Sequence, residues 1–223
     1  GMYVDGPVLD MEFQSFVGMH PIPILHGLTV GELALMINGE GWLKGGVACD
    51  LKVIPIQGWD HSSNYSLPVK PSPNLPNDLS IQLYPSLCLF EGTSISVGRG
   101  TYKPFQQIGH PSFTSLKESF MPVSIPGMSK YPKYQDKMCY GKIFNETSDL
   151  KGIDLSYLID FYNLFEDKKN FFVPYFNTLA GNSTLQSQIV AGKTDQEIKA
   201  SWQKDLDSYK IIRKKYLLYP DFE

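Results

Sequence analysis

Apolar positions recur with a helical period most clearly in two segments that begin with the same signal. Thr29-Val30-Gly31-Glu32 fits a capping box, in which the Thr hydroxyl accepts from the amide three residues on and the Glu carboxylate accepts from the Thr amide. The apolar run LALMIN follows it, and the predicted helix stops at Gly39. A second box, Thr194-Asp195-Gln196-Glu197, opens the longest predicted helix, with Ile198, Trp202, Leu206 and Tyr209 at spacings of four and three. The last turn of that helix is basic, which complements the helix dipole. Shorter helices are predicted over 155–165 and over 183–191, the latter closed by Gly192.

Strands are predicted over 51–56, 79–84, 86–90, 120–125 and 140–144. Pro55 and Pro122 confine their strands to edges, ends or bulges, because proline cannot donate to a ladder. Strands therefore gather in residues 1–150 and helices in residues 151–223, an α+β arrangement of a mixed sheet with long loops and a helical C-terminal third, and not a series of βαβ units. Two stretches punctuated by glycine and proline, 58–76 and 92–132, read as long loops. Flanked as they are by apolar runs, such loops point to function.

Composition narrows the classes. With 223 residues, 42% of them hydrophobic and 19% charged, the chain lies far from the regime of disordered sequences. A net charge of −3 without a clustered basic run argues against nucleic acid as a partner. No apolar stretch is long enough for a membrane span. The first residues carry no signal peptide, and Gly1 ahead of Met2 reads as an expression remnant. Cys49, Cys88 and Cys139 lack the spacing of a metal site or a disulfide framework and read most simply as three buried thiols, with a single disulfide as the alternative.

Several chemistries are set aside on spacing. The glycines between Asn38 and Gly46 follow a helix where a dinucleotide fingerprint follows a strand. His20, His26, His61 and His110 are isolated, so neither a metal nor another cofactor is expected. No G-x-S-x-G nucleophile motif occurs. Asn-x-Ser/Thr triplets at Asn64, Asn145 and Asn182 are accounted for by chance.

The most informative stretch is LFEGTSISVGRGT, residues 89–101. It places the Glu91 carboxylate, hydroxyls including Thr93, and the Arg99 guanidinium between glycines, which suits a sugar or an anion: amides and hydroxyls bind hydroxyl-rich ligands, and an Arg fork grips a carboxylate at two points. The same residues also suit a turn held by an internal Glu91–Arg99 salt bridge. PSPNLP at 71–76 is polyproline-like chain that presents Ser72 and Asn74, and by composition it equally suits a linker.

Together with SFVG at 15–18, PIPILHGLTVGELALMINGEGWL at 21–43, the extended form YPSLCLFEGTSISVGRGT at 84–101 and PFQQIGHP at 104–111, these segments resemble the C-terminal half of the NamZ-type peptidoglycan exo-β-N-acetylmuramidases. The closing IRKKYLLYPDF is similar to that of Bacteroides-type members. The resemblance implies removal of terminal N-acetylmuramic acid from the non-reducing end of peptidoglycan fragments, as in cell wall recycling. It also implies a partner: an N-terminal Rossmann-like domain of the same protein that carries the main catalytic acid, lies outside this chain and closes a cleft with it. All 223 residues would then be the C-terminal domain, with muramyl saccharides as ligands. Carried over by position, Arg99, Glu91, Thr93, Ser72, Asn74 and His26 are the expected substrate contacts, and Glu91 is the one expected candidate for a catalytic role. Two departures stand out: Leu25 where many relatives have Arg, and Ser94 where Asn is usual. The first residues alone read cytoplasmic, whereas the resemblance puts the parent protein in the periplasm or cell envelope. A stand-alone peptidoglycan-binding module, and a chain that completes a separately encoded partner, are the competing expectations.

Overall fold

In the computed structural model, which describes residues 2–146 and 151–222, the protein is α+β, as expected, but in place of one mixed sheet the described strands form two small antiparallel sheets. Strand β1 (Val4–Val8) pairs antiparallel with β2 (Pro23–His26), with a register shift between Asp5 and Val8. Helix α1 (Val30–Gly39) follows, and both halves of its capping box form, with Thr29 and Glu32 exchanging bonds. After α2 (Asp78–Leu87) comes a three-stranded antiparallel sheet of β3 (Gln107–His110), β4 (Glu118–Phe120) and β5 (Cys139–Ile143), in which β5 is central. The C-terminal part is helical: α3 (Ser156–Leu164), α4 (Phe176–Ala180), α5 (Thr184–Val190) and α6 (Asp195–Arg213), the last opened by the second predicted capping box.

Burial explains the order of these elements. The main core joins Leu83 and Leu87 of α2, Phe90, Phe105, Ile108, Leu158 and Phe161 of α3, and Ile198, Trp202 and Leu206 on one face of α6. A smaller cluster of Leu28, Met36 and Tyr209 ties α1 to the far end of α6. Below it lies a buried polar knot. Arg213, fully buried, donates from Nε and Nη2 to the Gly27 carbonyl at 3.0 and 2.8 Å, and from Nη1 and Nη2 to Asp221 at 2.7 Å each. Glu32 closes its own helix and also accepts from the Leu218 amide at 2.8 Å, with His61 Nε2 at 3.0 Å. The C-terminal tail is thereby fastened to α1.

Several expected strands do not form. Residues 79–84 lie in α2 and 86–90 run into a 3-10 turn over Cys88–Gly92, because Asn77 and Ser80 cap a helix there and Pro85 falls late in it. Residues 51–56 have no regular structure, and Ile54 and Ile56 are exposed. Of 120–125 only Phe120 is in a strand, at the end of β4. Cys88 and Cys139 are buried free thiols as expected, but Cys49 is exposed. The expected boundary between the strand-rich and helical parts, at residue 150, and the acceptor triplet that ends at Thr147 fall on or beside residues outside those described.

Candidate functional site

The stretch 89–101 is held on both sides by backbone pairing. Ser94 N–H donates to the Phe171 carbonyl at 2.7 Å and Val173 N–H to the Gly92 carbonyl at 2.9 Å, while Ser96 and Gly109 exchange bonds at 2.8 and 3.0 Å. Gly92 is glycine for a steric reason: a Cβ there would come within 2.7 Å of the Phe176 Cα. That close approach sets the start of α4 against Gly92, next in sequence to Glu91, and Tyr175 at its N-terminus lies near Tyr84.

Glu91 and Arg99 meet as the sequence allowed. Arg99 Nε donates to Glu91 Oε1 at 2.8 Å, and the guanidinium lies 5.1 Å from the centre of the Phe105 ring. Because the contact uses Nε, the two Nη groups at the outer end of the fork have no hydrogen-bond partner among the described residues. Both side chains are part-exposed, Arg99 at 37% and Glu91 at 27%. Tyr84 packs its ring edge on Phe105, with centroids 4.9 Å apart. Burial pushes its hydroxyl up to about 12, with the charges of Cys88 and Glu91 acting in the same direction, so it remains a neutral donor at physiological pH.

A loop absent from the sequence reading completes the arrangement. Lys133 donates from Nζ to the Thr93 carbonyl and to the Ile95 carbonyl, and Tyr134 donates its hydroxyl to the Ser94 carbonyl at 2.6 Å. Desolvation of the ammonium holds the Lys133 pKa below the usual lysine range, against the pull of Glu91 in the opposite direction. His110 stands near: its Nδ1 accepts from the Ser112 amide at 3.1 Å, which places the proton of the neutral ring on Nε2, and burial followed by the Lys133 charge lowers its pKa. Two cations thus flank one carboxylate, leaving one excess positive charge at a part-exposed rim.

The other expected contacts fall elsewhere or face inward. The Thr93 hydroxyl is fully buried, donating to the Phe90 carbonyl at 2.8 Å and accepting from Ile95 N–H at 3.1 Å, so it supports the turn and only its carbonyl meets Lys133. Ser72 accepts from the Asn74 amide at 3.2 Å. Asn74 is buried and donates to the Met128 carbonyl at 3.0 Å, and among the described residues its Oδ1 lacks a partner. His26 keeps different company: its Nδ1 accepts from Leu28 N–H at 3.2 Å, and its pKa is lowered by burial, with Arg213 adding to the effect. Lys133, Tyr134 and Tyr84 were missed because only tertiary contacts bring them to the 89–101 stretch; the one hint was the loop-rich stretch that ends at Pro132. A concavity of about 530 Å³ lined by Leu116, Glu118, Lys142, Asp160 and Phe161 holds none of these residues.

An α+β scaffold whose exposed loops present an Arg–Glu pair and a second cation is suited to a polar, anionic ligand. The chain belongs to the exo-β-N-acetylmuramidase NamZ family: the model of the family's C-terminal domain matches residues 82–219 and that of its N-terminal domain matches residues 1–79. It is 36% identical to the peptidoglycan β-N-acetylmuramidase NamZ of Bacillus subtilis (strain 168), over 98% of this chain and 56% of that protein. A DUF1343 family protein of Bacteroides fragilis NCTC 9343 has the same fold at a TM-score of 0.95 and 51% identity, covering 99% of this chain and 63% of that one. A second protein of that family and organism, 22% identical, superposes at a TM-score of 0.79, again over 99% of this chain and 63% of its own. The chain therefore spans a little over half of the curated relative it matches.

These matches correct one expectation. The chain is not all C-terminal domain with the N-terminal one wholly outside it, since residues 1–79 carry N-terminal family sequence. The division near residue 80 is hidden in composition because β1, α1 and α6 share one core across it.

Proposed function

We propose that this chain supplies the substrate-reading surface of an exo-acting glycosidase that releases N-acetylmuramic acid from the non-reducing end of peptidoglycan fragments, acting in the periplasm or cell envelope. The observation that carries the reading is the Arg99 guanidinium, bound to Glu91 through Nε with its two Nη groups unbonded among the described residues, while Lys133 holds the carbonyls of Thr93 and Ile95 in the same stretch. N-acetylmuramic acid differs from N-acetylglucosamine by a lactyl ether whose carboxylate a guanidinium binds at two points. Glu91 orients the fork from behind, Phe105 supports its face, and Lys133 adds charge while pinning the loop. Glycosidases set two carboxyl groups across the scissile bond. The role given to Glu91 here is to position Arg99.

The test is binding of sugars to this chain, followed by calorimetry or by amide shifts. N-acetylmuramic acid is expected to bind, and its methyl ester, which lacks the charge, to bind about tenfold more weakly, a difference of about 1.4 kcal/mol. Equal affinity for acid and ester would refute the reading.

A further inference from the structure

We infer that Tyr102 and Tyr131 form a stacking platform for the second sugar ring of a bound glycan, next to the Glu91–Arg99 pair, an inference that rests on the saccharide reading above. The two tyrosines are 84% and 80% exposed, and unlike the exposed Phe16 and Tyr65 they lie on the loops that carry Arg99 and Lys133. Their loops meet directly. At Gly100, where φ is +82°, a Cβ would lie 2.6 Å from Pro132, and the Gly100 carbonyl accepts from Val123 N–H at 2.8 Å. Tyr102 thus stands three residues beyond Arg99, and Tyr131 two residues before Lys133, on either side of one contact.

Neither tyrosine sits on slack chain. The Thr101 hydroxyl donates to the Gly98 carbonyl and accepts from Gln107 Nε2, both at 2.7 Å, and Lys103 N–H donates to it at 3.0 Å. On the other loop, Lys133 and Tyr134 are bonded to the backbone of residues 93–95. Rigid backbone lowers the ordering cost of binding, and a tyrosine offers a broad apolar face with only two side-chain torsions to fix. A β-linked pyranose has a face of C–H groups that matches it. Lys130 places its ammonium 5.3 Å from the Tyr131 ring centre, which leaves the opposite face for the sugar. With the lactyl carboxylate of the first sugar at Arg99, the tyrosines, one three residues beyond it and the other beside the Pro132 that meets Gly100, are assigned to the neighbouring N-acetylglucosamine.

The experiment compares N-acetylmuramic acid with the β-1,4 disaccharide of N-acetylmuramic acid and N-acetylglucosamine, titrated into this chain and its variants. Tyr102→Ala and Tyr131→Ala are each expected to weaken the disaccharide about five- to tenfold while leaving the monosaccharide within about twofold, and Tyr→Phe at either position to keep both affinities. Alanine variants that bind the disaccharide like the wild type would overturn the inference. So would equal loss of both sugars, or loss in the Phe variants, which would point to hydrogen bonding and not stacking. A wild-type chain that binds neither sugar would refute the saccharide reading and this inference with it, whereas normal monosaccharide binding beside unaffected Ala variants refutes only the platform.

Discussion

Arg99 holds Glu91 through Nε at 2.8 Å, leaving the outer edge of the guanidinium directed away from its partner. A lysine cannot reproduce that geometry, because a point charge satisfies either the carboxylate behind it or the ligand in front. Arg99→Lys is expected to lower affinity for N-acetylmuramic acid about tenfold in a sugar titration. The same variant should change stability by less than about 1 kcal/mol in a denaturant melt, since the pair is part-exposed and water screens it.

Arg213 presents the opposite case. Fully buried, it joins the Gly27 carbonyl to Asp221 and stacks on Phe222, with the guanidinium 4.8 Å from the ring centre. Arg213→Ala removes the partner of Asp221 and leaves the Gly27 carbonyl without its donors, which should cost about 3–5 kcal/mol in chemical denaturation.

Gly92→Ala tests the backbone approach that sets α4 beside Glu91. With the Phe176 Cα 2.7 Å from the new methyl, one segment must shift, at a cost of about 1–3 kcal/mol by thermal melt. The shift would reach Glu91, the residue before Gly92, and through it Arg99, so affinity for N-acetylmuramic acid should fall as well.

Acid should weaken the fold in two stages. His26 and His110 are held below their ordinary value of 6.5, mainly by burial, so the unfolded chain binds protons that the folded one refuses. Stability from these residues is intact above about pH 6.5 and declines as pH falls toward the lowered folded values. Glu32 and Asp221 behave as depressed carboxylates: burial opposes the shift in Glu32 but hydrogen bonds from Thr29, Leu218 and His61 outweigh it, and Arg213 lowers Asp221. Their contribution is present above their ordinary values of 4.5 and 3.8 and is lost as pH drops through the lowered ones. Melting temperatures between pH 8 and 3 should fall first below about pH 6.5, and His26→Gln with His110→Gln should flatten that first decline.

Where local chemistry decides structure, the sequence was readable. Thr29 with Glu32, and Thr194 with Glu197, announce α1 and α6 because caps and apolar period act over a few residues. Helix α2 was mistaken for strands because its Ile, Leu and Tyr content and Pro85 hide a helix that Asn77 caps. Strands β1 and β2 were missed because Pro7 and Pro23 weaken their pattern, and only pairing between them with α6 behind settles the segments. The site divides in the same way. Glu91 and Arg99 lie within one turn-rich segment, so their pairing could be read from it; Lys133 reaches Thr93 across 40 residues, and no local rule encodes that contact. His26, 4 residues before the start of α1, was drawn to the site by resemblance, whereas its neighbours are Glu32 and Arg213.

The central claim is that Arg99 distinguishes a muramic from a glucosamine ring. It is tested most directly by measuring the affinities of N-acetylmuramic acid and N-acetylglucosamine for the wild-type chain and for Arg99→Ala. The account predicts that the wild type prefers the muramic sugar and that the substitution removes this preference by weakening that ligand alone. An equal loss for both sugars, or a preference that survives the substitution, would contradict it.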